Sequence, residues 1–176
     1  MDTGPAVKEG TVGPVAVQAD RGKADPGRIL LDGLRGADPG LVLVFGADGA
    51  ELAGLDAVLR AGLPDGCLIA GCSSAGEIGP SGYASGSIVA IGFPRAAFRA
   101  EVVALEDQAS IPVSAWLARL RRLRAGFPDR AGAQLFGILL ADGRARHEDV
   151  LVAALDAALP GVPVVGGSAG DGLDFG

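Results

Sequence analysis

The sequence predicts an α/β fold: a mixed sheet from two related strand-helix-strand units, with an inserted β-hairpin and helix. Three observations carry this expectation. Apolar runs such as Leu41-Val42-Leu43-Val44-Phe45 lack the polar alternation of a half-exposed strand and are each followed by a stretch of helical spacing. The plan then returns, because Asp48 and Asp142, Ser74 and Ser168, and Glu77 and Asp171 are each separated by 94 positions. Between the two copies lie two more strand-like runs, parted by Pro94-Arg95-Ala96-Ala97.

Each element follows from local chemistry. Residues 1–24 are rich in Gly, Pro and charge and read as a flexible N-terminal tail, with a candidate short strand at Pro14-Val15-Ala16-Val17. Residues 25–176 read as one domain. Asp25 is placed to cap a helix with Pro26 at its first position, ending near Gly36. Leu41 to Ala47 is a buried strand, Leu52, Leu55, Val58 and Leu59 mark a helix stopped by Gly62 and Pro64, and Cys67 to Gly71 is the next strand. Strand, helix and strand with short joints imply a parallel crossover.

In the middle, Ser87 to Phe93 and Phe98 to Leu105 form the expected antiparallel hairpin. Ser110 is placed to cap a helix starting at Ile111 and Pro112, whose apolar face carries Val113, Trp116, Leu117, Leu120 and Leu123. Arg119, Arg121, Arg122 and Arg124 read as its solvated side, and Trp116 as core. The second copy runs from a strand at 135–141 through a helix with Leu151, Ala154 and Leu155 to a strand at 162–165. The sequence ends six residues after Gly170. A Gly-rich turn leaving a buried strand normally hands on to a covering element, so a longer architecture is expected.

Composition narrows the function. Hydrophobic content is 49%, charged content 20% and mean hydropathy +0.37, which suits a globular core rather than a disordered chain. No apolar run is long enough to span a bilayer, and Met1-Asp2-Thr3-Gly4-Pro5 does not resemble a secretion signal, so a cytoplasmic protein away from membranes is expected. The net charge of −6 argues against nucleic acid, whose binding depends on neutralising phosphates.

The residues expected to carry function lie in the two Gly/Ser turns: Gly71, Cys72, Ser73, Ser74, Gly76 and Glu77 in the first, and Gly166, Gly167, Ser168, Gly170 and Asp171 in the second. Both fall beyond the carboxyl ends of strands, where open α/β sheets bind ligands, and the duplication is expected to bring them around one pocket. Glycines allow close backbone approach, and the hydroxyls can donate to an anionic group. Glu77 and Asp171 would repel a phosphate but suit an ammonium, so a ligand with both carboxylate and amine fits. A second reading stays open, in which the turns only reverse the chain and the acids accept backbone hydrogen bonds. Asp48 and Asp142 fit helix caps as well as ligand contacts.

Other chemistries find less support. Cys67 and Cys72, five positions apart, point to opposite faces of a strand and read as small buried side chains, with no disulfide expected. Gly166-Gly167-Ser168-Ala169-Gly170 fits the Gly-x-Ser-x-Gly pattern, but His147 precedes the serine instead of following it. A hydrolase or transferase using Ser168 is the enzyme alternative; no catalysis is the expectation. His147 is the only histidine and makes a poor metal site alone, so neither metal nor cofactor is expected.

The segments Gly71-Cys72-Ser73-Ser74-Ala75-Gly76-Glu77-Ile78, Ser87-Ile88-Val89-Ala90 and Val164-Val165-Gly166-Gly167-Ser168-Ala169-Gly170-Asp171, with Phe175, resemble the FIST N-terminal domain over roughly residues 28–176. The resemblance implies a sensory module of intracellular signal transduction that binds small molecules such as amino acids. Its partners would be a FIST C-terminal region, not seen in this sequence, or a signalling output protein. Some members of that family are haem-binding gas sensors, which would make His147 an axial-ligand candidate.

Overall fold

A computed structural model describes residues 12–22, 25–46, 49–106, 110–143 and 147–170. The fold is mixed α/β. The chain divides into two compact units, residues 1–100 and 101–176, each with its own core.

The first unit holds a four-stranded sheet in the order β1-β6-β2-β3. Strands β1 (Val15–Asp20), β2 (Pro39–Gly46), β3 (Leu68–Ser73) and β6 (Ser87–Pro94) build it. Helix α1 (Pro26–Leu34) precedes β2 and helix α2 (Gly49–Gly62) joins β2 to β3. Parallel pairing of β2 with β3 and antiparallel pairing of β6 with β1 and β2 make the sheet mixed, as expected. The candidate short strand at 14–17 is a longer edge strand, Val15–Asp20, inside the stretch otherwise read as tail, in register with β6 from Val15↔Gly92 to Asp20↔Ser87. Asp25 caps α1 as its sequence indicates, accepting from the Arg28 backbone N–H at 3.0 Å.

Side-chain alternation along the strands divides the core. Val42 and Val44 of β2, with Ile88 and Ala90 of β6, pack against Leu30, Leu34, Leu55 and Leu59 of the two helices. Leu43, Val89 and Phe93 are buried on the opposite face. These strands are covered on both sides, which explains why their sequences show no polar alternation.

The expected second arm of the hairpin is corrected by the structure: residues 98–106 are not a strand. The carbonyls of Ala104 and Glu106 accept from side chains of the following helix instead, Arg119 at 2.7 Å and Trp116 Nε1 at 3.1 Å. The hairpin that exists among the described residues lies earlier, between β4 (Glu77–Gly79) and β5 (Gly82–Ala84).

In the second unit, helix α3 (Val113–Ala125) has Pro112 at its N-cap position, so the expected Ser110 cap is corrected. Strand β7 (Gly137–Ala141), helix α4 (Glu148–Ala158) and strand β8 (Val164–Ser168) repeat the strand-helix-strand plan, with β7 and β8 parallel. Trp116 and Leu120 of α3 pack with Leu151, Ala154, Leu155 and Ala158 of α4, so Trp116 is core. The pairs Gly137↔Val164, Ile138↔Val165, Leu139↔Gly166 and Leu140↔Gly167 lie 94 positions beyond Leu43↔Ala70, Val44↔Gly71, Phe45↔Cys72 and Gly46↔Ser73. The two parallel pairs share one register. They differ in cover, because Ile138 and Val165 remain 39% and 61% exposed.

Candidate functional site

The first turn begins inside the sheet. Gly71, Cys72 and Ser73 are strand residues of β3, paired with Val44, Phe45 and Gly46, and the Ser74 N–H extends the ladder by donating to the Gly46 carbonyl at 2.9 Å. A Cβ on Gly71 would lie 2.1 Å from the Val44 carbonyl oxygen, so glycine here is demanded by strand packing. Burial pushes the Cys72 thiol above its ordinary value.

The free part of the turn is Ser74 to Glu77, and its polarity is set by Glu77. That side chain is only 3% exposed and accepts three hydrogen bonds: from the Ser74 hydroxyl at 2.7 Å, the Ser87 backbone N–H at 3.3 Å and the Ser87 hydroxyl at 3.1 Å. Ser87 in turn accepts from Gln18 Nε2 at 3.3 Å, and Gln18 Oε1 accepts from the Ser81 N–H at 3.1 Å. The network ties β1, β6 and the β4–β5 hairpin to the turn. Opposite Gly76, where a Cβ would come within 2.5 Å of the phenolic oxygen, lies the ring of Tyr83, 70% exposed.

The second turn follows β8. Gly166, Gly167 and Ser168 are strand residues, and Gly170 is half-buried beyond them; Asp171 and the earlier Asp48 lie outside the described residues. Gly166 has φ 151° and its Cβ would lie 1.9 Å from the Leu139 carbonyl oxygen, the same kind of constraint as at Gly71. The Ser168 hydroxyl donates to Glu148 Oε1 at 3.3 Å. His147, the residue preceding α4, makes no capping hydrogen bond with its side chain. Its neighbours Glu148 and Asp149 give that helix start an anionic character that does not fit the apolar walls a haem requires. Among the described residues no cluster of His, Cys, Asp and Glu is placed to hold a metal ion.

The first unit also contains a half-open cavity of about 140 Å³ between α2 and the β2–β3 edge, lined by Val44, Leu52, Leu55, Leu59 and Ile69, with Asp56 at its polar side. Gly71 is the one turn residue that reaches it.

Ser74 and Glu77, both named in the first turn as ligand contacts, are hydrogen-bonded to each other, while Gln18, Ser87, Tyr83 and Glu148 were not singled out in the sequence. Gln18 carried a legible signal, being the one polar residue inside Val15-Ala16-Val17-Gln18-Ala19. Glu148 carried none, because an acid at the start of a helix is common for dipole reasons alone.

A family model, the FIST N domain, matches residues 40–176. The chain belongs to the FIST N domain family. The matched span begins at β2, later than the start near residue 28 expected from the sequence. FIST domains are sensory domains of signal-transduction proteins and not a known enzyme family. No curated protein and no solved structure matches this FIST N domain. Among its described residues no helix is long and apolar enough to cross a membrane.

Proposed function

We propose that this FIST N domain is a non-catalytic, cytoplasmic sensor that binds a small metabolite, an amino acid or a close relative, at its Gly/Ser turns. The residues proposed to contact it are Gly71, Cys72, Ser73, Ser74, Gly76 and Glu77 at and after the end of β3, and Gly166, Gly167, Ser168 and Gly170 at and after the end of β8, with Asp171 next in sequence. One observation carries the reading. Ser74 and Ser168 stand 94 positions apart, on strand pairs of the same register, and each donates its hydroxyl proton to a glutamate. The two glutamates occupy different places, Glu77 three residues after Ser74 and Glu148 at the start of α4, but each turn presents a serine oxygen beside a carboxylate.

The hydrogen-bond direction refines the ligand chemistry. A serine hydroxyl has one proton to donate and two lone pairs to accept with. With the proton committed to a carboxylate, each turn offers an acceptor, so the group that docks is a donor such as an ammonium. The ligand would favour one of two arrangements of the domain and so shift their populations. The receiver of that shift is a FIST C-terminal region or another signalling output protein.

A thermal-shift screen of the full chain against amino acids and their amines tests this reading. A true ligand at about one hundred times its dissociation constant stabilises by about 2.7 kcal/mol. A flat response across amino acids and related amines ends the proposal.

A further inference from the structure

We infer that the cavity beneath α2 is a binding site for a compact apolar group, a branched aliphatic chain or a single aromatic ring. Its walls are chosen for such a guest. Leu52, Leu55 and Leu59 come from one face of α2, Val44 from β2 and Ile69 from β3. The carboxylate of Asp56 is already taken by Arg60 Nε at 2.7 Å.

The five larger aliphatic side chains of the lining offer no hydrogen bond to water, and the carboxylate of Asp56 is engaged by Arg60. An enclosed engineered cavity of about 150 Å³ lined by Leu, Ile and Phe takes benzene, which sets the size of guest that such side chains accept. The present volume of about 140 Å³ is close to that size. The opening has a cause in the topology. Among the described residues β3 pairs within its sheet only with β2, so α2 lies over the edge of that sheet. An entry path therefore exists without any rearrangement of the core.

The cavity is distinct from the polar part of the turns. Gly71 borders it, and Ser74 lies three residues further on, about 10 Å along an extended chain. The inference thus concerns apolar selectivity and stands independently of the ammonium reading.

Benzene, added to the full chain, is the probe. At about five times its dissociation constant it should raise the melting temperature by about 2–4 °C. Amide chemical-shift changes should concentrate in α2 and β3. Leu52→Phe, at a half-buried wall position, fills the space and should remove the response; Val44→Ile serves the same purpose where Leu52→Phe does not fold. No benzene effect on the parent chain overturns the site, as does an undiminished effect in a folded filled variant. A failed metabolite screen beside a positive benzene response would remove the turn reading and leave this one intact.

Discussion

The buried Glu77 carboxylate accepts both the backbone N–H and the hydroxyl of Ser87, ten residues later, at 3.3 and 3.1 Å. Ser87 itself is fully buried at the start of β6. Through this pair, the hairpin between the two residues is closed at its base, and the turn before it is held by the Ser74 bond to the other carboxylate oxygen.

Glu77→Ala should therefore act on the fold before it acts on any ligand. The substitution leaves the buried Ser87 N–H and hydroxyl, and the half-buried Ser74 hydroxyl, without their acceptor, at a cost of about 2–4 kcal/mol. Glu77→Gln keeps one acceptor oxygen, which at the Oε2 position serves both Ser87 donors, and should recover part of the loss. Urea unfolding of the three proteins checks the order. Equal stability of parent and Glu77→Ala would show that the network contributes nothing.

The glycines of the first turn divide into two kinds, and alanine substitution separates them. At Gly71 the added Cβ meets a backbone carbonyl at 2.1 Å, in the middle of the β2–β3 ladder. Backbone cannot swing aside, so Gly71→Ala should cost about 3 kcal/mol. At Gly76 the obstacle is the exposed Tyr83 ring, a side chain free to rotate. Gly76→Ala should cost under about 1 kcal/mol, as substitutions at tolerant surface sites do. Denaturation midpoints decide it, and a Gly76→Ala loss equal to that of Gly71→Ala would contradict the distinction.

Both thiols should stay protonated and slow to react at neutral pH. Burial raises the Cys67 thiol, against the opposing pull of Arg95 and Arg60, and burial alone raises Cys72. Cys67 donates to the Leu68 carbonyl at 3.6 Å, a bond only the neutral thiol makes. The linkage runs toward alkaline instability. Below the unfolded thiol value, about 8.5, both states hold the proton and stability is unaffected. As pH rises through the gap to the raised folded value, the unfolded chain releases the proton first, the folded state binds more protons, and stability falls. Unfolding midpoints from pH 7 to 10 should decline less in a Cys67→Ala, Cys72→Ala double variant. Rapid alkylation of the folded chain at pH 7 would count against protonated thiols.

What was legible in the sequence was whatever depends on local pattern. The Asp25 cap, the parallel β2–β3 and β7–β8 pairs and the buried Trp116 follow from capping chemistry, apolar runs and helical spacing. What was hidden depends on competition for partners. Phe98 to Leu105 has the composition of a strand, but two of the carbonyls in that stretch and just beyond it are claimed by Arg119 and Trp116. The Gln18, Ser87 and Glu77 network joins residues 69 and 10 positions apart, separations no local window contains. Gly71 shows the same limit in another form. Its sequence context suggested a ligand-facing turn, whereas the Val44 carbonyl gives it a packing reason of its own.

Ser168 separates sensing from catalysis. A nucleophilic serine needs a base that takes its proton during attack and then delivers that proton to the leaving group, a task usually given to a histidine. Here the hydroxyl points its proton at Glu148, and His147, one residue earlier, contributes no cap to α4. The parent chain should show no turnover of activated esters above the buffer rate. Ser168→Ala and Glu148→Gln should each leave stability within about 0.5 kcal/mol, since the pair is exposed. Both should weaken the thermal response to an ammonium-bearing ligand, because one removes an acceptor and the other its negative charge. Ester turnover in the parent that disappears in Ser168→Ala would make this domain an enzyme instead.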